Sequence, residues 1–208
     1  MKRIAITQRV DVTHPHMERR DALDQKWCVF LQTIKLFPIF VPNNVNHVKN
    51  LIKDNSIDGI LLTGGNSLAK YGGDAPERDE IEKMLITFSL SKNIPLLGVC
   101  RGMQVIQDYF NNNLSKTYGH VGTRHTLIVN NGFRLSDIVN RYQDVNSYHE
   151  YGAHDVEGDL CKVACSMDKV VMAIEHKNKN IFGVMWHGER ELIFNKNDQD
   201  MFKQIFTI

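Results

Sequence analysis

The segment Pro95-Leu96-Leu97-Gly98-Val99-Cys100-Arg101-Gly102-Met103-Gln104 constrains this chain more than any other. An apolar run ends in Gly-x-Cys-x-Gly, and an amphipathic stretch, residues 103–110, begins at once. That order predicts a strand, a sharp turn and a helix, which is the setting of a nucleophile elbow. The two glycines let the chain turn tightly and let another backbone come close, and the central residue is thrust out above the sheet. Cys in that place is a strong nucleophile once deprotonated. Taken alone, the same residues also allow a small buried Cys at a strand end.

The chain before the elbow reads as strand and helix in alternation. Residues 3–10 predict a first strand, and Leu23, Trp27, Phe30, Leu31 and Ile34 recur at helical spacing. Residues 37–41 predict a second strand, with Pro38 marking an edge or a strand start. A short helix carries Val45, Val48, Leu51 and Ile52, and residues 59–63 form a buried strand running into Gly64-Gly65-Asn66. Asp74 is the expected cap, and Pro76 the first turn, of a helix bearing Ile81, Met84, Leu85 and Phe88. The series predicts an α/β fold with a doubly wound, mostly parallel sheet of the flavodoxin-like kind. After about residue 120 the pattern changes to short strands (126–129, 144–148, 162–164, 170–174) with Gly-, Asn- and Asp-rich turns. Residues 177–180 predict a hairpin turn into residues 181–186, and Met201, Phe202, Ile205 and Phe206 mark a last helix. The expectation is one domain, residues 1–208, with a small antiparallel extension in its C-terminal half.

Charge and composition narrow the partners. A net charge of +1 leaves no basic footprint for nucleic acid or an anionic membrane. No apolar run approaches a membrane span, and residues 1–7 lack the apolar core of a signal peptide, so a cytoplasmic location is expected. Cys28, Cys100, Cys161 and Cys165 form no C-x-x-C pair, which argues against a zinc ribbon or a disulfide framework. His14, His16, His120 and His125 lack ligand spacing with a supporting carboxylate, so neither a metal nor a cofactor is expected.

In open α/β sheets, sites lie beyond the carboxyl ends of the strands. Besides the elbow, two stretches end there. Gly64-Gly65-Asn66 could point a backbone N–H at a bound oxygen, or could be an ordinary βα turn. In Trp186-His187-Gly188-Glu189, residues two apart on an extended segment face the same side. Glu189 could therefore fix the tautomer of His187 and raise its basicity, the orienting role of a triad's third member. A solvated strand end is the other reading of that stretch.

Gly-Val-Cys-Arg-Gly-Met-Gln and Gly-Val-Met-Trp-His-Gly-Glu together resemble the two signature segments of the class I glutamine amidotransferase superfamily. More closely they resemble its stand-alone γ-glutamyl hydrolase branch, peptidase family C26. Residues 62–65, 75–79, 145–149 and 20–24 are similar to that branch as well, so the resemblance spans nearly the whole chain. It implies Cys100 as nucleophile, His187 as general base and acid, and Glu189 as orienter. It also implies an oxyanion hole from the N–H groups of Gly65 and Arg101, with Gln104 helping to hold the glutamyl group. Gly64, Asn66, Asn146, Ser147, Tyr148 and His149 are further candidates for the pocket. The implied reaction is hydrolysis of a γ-glutamyl amide through a Cys thioester, releasing glutamate. One departure stands out: Gly188 occupies the place where the family usually has proline, which removes a fixed φ beside Glu189.

All such substrates share the glutamyl half, so selectivity must come from groups that meet the leaving amine. The resemblance implies γ-glutamyl-CDP-amidate as the substrate, and Arg9, Arg19, Arg20, Lys70, Arg78 and Arg124 are expected around the mouth, where they would suit an anionic or phosphorylated leaving group. They could equally be surface charges. γ-Glutamyl-γ-aminobutyrate is the alternative substrate. Competing functions are a glutaminase subunit feeding ammonia to a synthase, a redox sensor with Cys on an elbow, and a catalytically dead binding module. Cys-Arg-Gly, rather than the Cys-Leu-Gly or Cys-Asn-Gly of ammonia-channelling subunits, favours hydrolysis of a small molecule. The oligomeric state stays open, with a homodimer compatible with the chain.

Overall fold

The computed structural model describes residues 1–54 and 56–206. The strands of the first half are β1 (Lys2–Thr7), β2 (Arg9–Thr13), β3 (Glu18–Ala22), β4 (Leu36–Val41), β5 (Gly59–Leu62) and β6 (Leu96–Val99). Those of the second half are β7 (Ser115–Lys116), β8 (Val121–His125), β9 (Ile128–Val129), β10 (Val145–Tyr148), β11 (Tyr151–Gly152), β12 (Leu160–Cys165), β13 (Val171–His176) and β14 (Ile181–Val184). The helices are α1 (Lys26–Thr33), α2 (Val45–Asp54), α3 (Pro76–Lys92), α4 (Arg101–Tyr109), α5 (Ser136–Val139) and α6 (Lys196–Phe206).

Eight strands form one sheet in the order β4-β1-β5-β6-β14-β13-β12-β9. The pairings from β4 through β14 are parallel, and β13, β12 and β9 extend the sheet antiparallel. The expected α/β architecture is therefore present, antiparallel extension included. Every residue of β5, β6 and β14 is buried, as near-continuous apolar runs in a sheet covered on both faces should be. At the edge, β4 carries Pro38 between the half-exposed Phe37 and Phe40, a place where a missing N–H leaves no ladder bond broken. The flanking helices form two groups. One joins α1 to α6 through the rings of Trp27, Phe30 and Phe202, and the other packs α2, α3 and α4 side by side.

Three local expectations are corrected. The strand expected over residues 3–10 breaks after Thr7, because β5 ends at Leu62 and β4 at Val41, leaving no parallel neighbours beyond. The chain instead turns into the β2–β3 hairpin, where Arg9 pairs with Ala22 and Thr13 with Glu18. Asp74 does not cap α3: Ala75 holds the cap position, while Asp74 receives Asn66 on its side chain and Arg19 on its carbonyl. Residues 126–129 are not one strand, since Val121–His125 pairs with β10 and only Ile128–Val129 reaches the main sheet.

The parallel strands β5, β6 and β14 are neighbours and end at the same level, with Leu62 opposite Gly98 and Val99 opposite Val184. Their carboxyl ends deliver Gly64-Gly65, Cys100 and His187 to one place.

Candidate active site

The elbow depends on two close approaches. A Cβ at Gly98 would lie 2.4 Å from the Gly102 carbonyl oxygen, and one at Gly102 would lie 2.1 Å from the Leu62 oxygen. Only glycine fits in either place. Between them Cys100 adopts φ 54° and ψ −109°, a strained conformation for a residue with a side chain. The strain lifts Cys100 off the strand axis at the head of α4. The thiol is buried, with 6% of the residue exposed.

His187 stands opposite. Its Nδ1 lies 2.6 Å from Glu189 Oε1, and both side chains are buried. Its backbone is clamped by Asn146, whose Oδ1 accepts the His187 N–H and whose Nδ2 donates to the His187 carbonyl, both at 2.8 Å. The remaining ring nitrogen, Nε2, is buried without a hydrogen-bond partner, on the edge of the ring that meets Cys100 across Gly64. Burial disfavours the imidazolium, but the neighbouring Cys100 thiolate and Glu189 carboxylate outweigh it and raise His187 to about 9. Burial likewise opposes the Cys100 thiolate. The His187 charge, then Arg190 and the Arg101 N–H, overcome it and bring the thiol below its ordinary value. Each charge thus favours the other: the imidazolium favours the thiolate, and the thiolate favours the imidazolium.

The Gly64-Gly65 turn completes the convergence. A Cβ at Gly64 would lie 2.6 Å from His187 Cε1 and 3.5 Å from Cys100 Cβ, so this glycine makes room for both. Gly65 has φ +84°. Its carbonyl accepts Arg78 Nη1 at 2.6 Å, and the Thr63 carbonyl accepts Arg78 Nη2 at 2.7 Å. Arg78 thus pins the carbonyls on either side of the Gly64–Gly65 peptide. It also donates to Glu82 Oε1 at 2.9 Å, while Arg101 binds the other oxygen of Glu82 and reaches Asp79. Burial disfavours the Glu82 charge, but the guanidiniums of Arg101 and Arg78 hold its carboxyl below the usual range. Burial, then the nearby Arg101 charge, lowers Arg78 to about 10, which leaves it cationic at neutral pH.

A model of the peptidase C26 family matches residues 4–189. The γ-glutamyl-CDP-amidate hydrolase of Campylobacter jejuni is 34% identical over 213 residues, covering 99% of this chain and 98% of that protein. The chain belongs to the peptidase C26 family. Membership carries hydrolysis of a γ-glutamyl amide. The fold also matches the glutaminase domain of Trypanosoma brucei CTPS with bound acivicin (TM-score 0.71, 16% identity, 99% of this chain and 94% of that one). A glutamine amidotransferase from Thermotoga maritima matches with TM-score 0.65 at 16% identity, over 97% of this chain and 82% of that one.

In this C26 chain two cavities meet at the site, sharing Gly65, His187 and Arg190 as a common wall. One, of about 310 Å³, is lined by Cys100, Arg101, Gln104, Asn66, Tyr148 and His149 among others. The other, of about 280 Å³, is lined by Arg9, Asp11, Leu23, Asp24, Trp27 and Gly64 among others. Gln104 Nε2 donates to the Tyr151 carbonyl at 2.8 Å, leaving its oxygen as an available acceptor. His149 Nδ1 lies 3.0 Å from that same carbonyl, and its Nε2 is buried without a partner. Burial, then the charge on His120, lowers His149 to about 3, so the ring is neutral.

Other candidates are spent elsewhere. Asn66 holds β2 to the glycine turn through the Val10 N–H and carbonyl, although it also lines the larger cavity. Ser147 donates to the His120 carbonyl and is buried. Arg78, expected at the mouth, is instead wholly buried beneath the glycine turn. Arg19 binds Glu77, Arg20 binds Glu18 and Lys70 binds Asp108. Arg124 bridges Asp144 and Glu191. None of these lines either cavity; of the expected cations only Arg9 does.

The reading of the sequence overlooked Arg190 and Asp198. Arg190 follows the acid directly, on the short 3₁₀ turn Gly188–Arg190, and its adjacency to Glu189 was the available signal. Asp198 accepts Tyr142 Oη at 2.7 Å and Trp186 Nε1 at 2.9 Å, and a Cβ at Gly188 would lie 2.7 Å from its Cγ. Asp198 thus takes up the space that a side chain at residue 188 would need. Nothing local in the sequence announced that pairing. Among the described residues no helix is long and apolar enough to cross a membrane.

Proposed function

We propose that this protein hydrolyses the γ-glutamyl amide bond of γ-glutamyl-CDP-amidate, releasing L-glutamate and cytidine diphosphoramidate, with Cys100, His187 and Glu189 as its catalytic groups. The observation that carries the assignment is the division of the His187 ring: Nδ1 is tied to Glu189 while Nε2 is left unpartnered on the edge beside Cys100. That is the arrangement a thiol acyl transfer needs. The likeness to the Campylobacter jejuni hydrolase over nearly its whole length supports the nucleotide leaving group.

The steps follow from the geometry. The Cys100 thiolate attacks the γ-carbonyl carbon, and the charge that develops on oxygen is met by the N–H groups of Gly65 and Arg101. Arg78 supports this role for Gly65 by fixing the flanking carbonyls, so the peptide cannot turn its N–H away. His187 delivers its Nε2 proton to the leaving nitrogen, the C–N bond breaks, and a thioester remains. Neutral His187 then takes a proton from water, the resulting hydroxide attacks the thioester, and the thiolate departs as glutamate forms. The Gln104 oxygen and the neutral His149 Nε2 are acceptors suited to the glutamyl ammonium group, with Tyr148 beside them.

The test is glutamate release by purified wild type, Cys100→Ala and His187→Ala, with no partner protein added. Wild type should hydrolyse γ-glutamyl-CDP-amidate faster than γ-glutamyl-γ-aminobutyrate or glutamine, and both variants should be inactive. Activity on none of these by wild type, or equal activity in Cys100→Ala, would refute the assignment.

A further inference from the structure

The nucleophile lines only one of the two cavities, whereas His187 and Gly65 line both. An amide bound for attack must therefore keep its acyl half with Cys100 and Gln104 and its scissile nitrogen near His187. The leaving half then has the other cavity to occupy. The charged groups there are unequally committed. Asp11 is paired with Arg9 at 2.6 Å, Asp24 accepts the Lys26 N–H at 2.9 Å, and Glu189 holds His187. Arg190 is different. Its guanidinium lies 4.6 Å over the Tyr148 ring and no closer than 3.8 Å to Glu189, and it makes no side-chain hydrogen bond among the described residues. Stacking of this kind uses the face of a guanidinium and leaves the N–H fork at its edge free.

We propose that the cavity beyond His187, walled by Arg9, Leu23, Trp27 and Arg190, is the subsite for the leaving amine, and that Arg190 is its specificity-determining residue, selecting leaving groups that carry an anionic oxygen within reach of its fork. This rests on the hydrolase reading above and adds the group that reads the substrate's second half. The matching chemistry is a phosphoryl or carboxylate oxygen, either of which an arginine fork holds well.

Arg190 also favours the Cys100 thiolate, so its loss should slow every substrate somewhat. The informative quantity is consequently a ratio. In Arg190→Gln, kcat/KM for γ-glutamyl-CDP-amidate relative to γ-glutamyl anilide, which has a neutral leaving group, should fall by about 10- to 100-fold, the range for losing a charge-assisted hydrogen bond. Most of that fall should lie in KM. Arg190→Lys, which keeps the charge without the fork, should fall in between. CDP alone should bind wild type and bind Arg190→Gln more weakly by calorimetry. A ratio that moves for γ-glutamyl-γ-aminobutyrate instead would support the subsite with a carboxylate as its anion. An unchanged ratio for both anionic substrates, with unchanged CDP binding, would overturn the proposal. Should wild type hydrolyse nothing, the hydrolase reading fails by itself. CDP binding weakened by Arg190→Gln would still uphold the subsite, and no CDP binding would end both.

Discussion

Arg78 donates to the carbonyl of Gly65 at 2.6 Å from a wholly buried position, so a helix side chain sets the orientation of a loop peptide at the nucleophile. Glu82 extends the tie by accepting Arg78 on one oxygen and Arg101 on the other. The glycine turn and the cysteine elbow are thereby held to the same carboxylate on α3.

Replacing Arg78 with Met should remove that tie while filling much of the space. With the Gly65 peptide unpinned, kcat should fall by about 10²–10³, the loss typical of one oxyanion donor, with little change in KM. The loss of a buried ion-pair partner should also lower stability by about 3–5 kcal/mol. Steady-state kinetics and urea unfolding measure the two effects separately. An unchanged kcat would mean that the turn holds its shape without Arg78.

Gly64→Ala tests the crowding at the site itself. The new methyl would fall 2.6 Å from His187 Cε1, a distance that forces the imidazole away from Cys100. We expect kcat to drop by at least about a hundredfold, since small misplacements of reacting groups carry penalties of that size. The unfolding midpoint should change little. Activity near that of wild type would show that the ring can sit elsewhere and still work.

The mutual influence of Cys100 and His187 gives the pH profile a sign. The raised pKa of His187, about 9, keeps the ring protonated through neutral pH and makes it the acid for the leaving amine. Activity should therefore fall as pH rises through about 9, when that proton is lost. On the acid side it should fall only as the Cys100 thiolate, favoured by His187, becomes protonated below the ordinary thiol range. The kcat/KM profile should be a bell with a broad acid shoulder. In Glu189→Gln the alkaline limb should move to lower pH, because one of the two charges that raise His187 is gone.

Gly188 and Asp198 should behave as a pair. Gly188→Ala places a methyl 2.7 Å from Asp198 Cγ and should destabilise the protein and displace Glu189; Asp198→Ala should recover part of that loss in the double variant. Asp198 also predicts a pH effect. Burial raises its carboxyl to about 6 despite the hydrogen bonds from Tyr142 and Trp186. A folded-state pKa above the ordinary value of 3.8 means that the folded protein keeps the proton longer than the unfolded chain does. Wild type should therefore lose stability as pH rises from about 4 to about 6, by about 3 kcal/mol in total. Asp198→Asn should lose the dependence in that window. Parallel stability curves for the two proteins would contradict this.

The sequence made the convergence of Gly64-Gly65, Cys100 and His187 legible because each part has a local signature. Gly98 and Gly102 bracket Cys100 at a switch of period, His187 and Glu189 sit two apart on an extended segment, and the glycine turn follows a buried run. The parallel strands were legible for the same reason. What lay hidden was set by tertiary contacts. Arg78 reads as a surface charge until α3 brings it beneath Gly65, and Asp198 reads as an ordinary first-turn acid until Gly188 and Trp186 close over it. Arg19 and Arg20 look available in the sequence, but the β2–β3 hairpin and α3 supply the carboxylates that engage them.

The wall between the two cavities has a consequence in time. Under the proposed division, with the acyl half on the Cys100 side and the amine on the other, the amine fills the space beside His187 until it leaves. A water placed there next to His187 then meets the acyl carbon, so departure of the first product is expected to precede hydrolysis. Any other small amine entering by that doorway competes with water for the same thioester. The partition that orders the two product releases also sets how much of the glutamyl group is transferred and how much is set free.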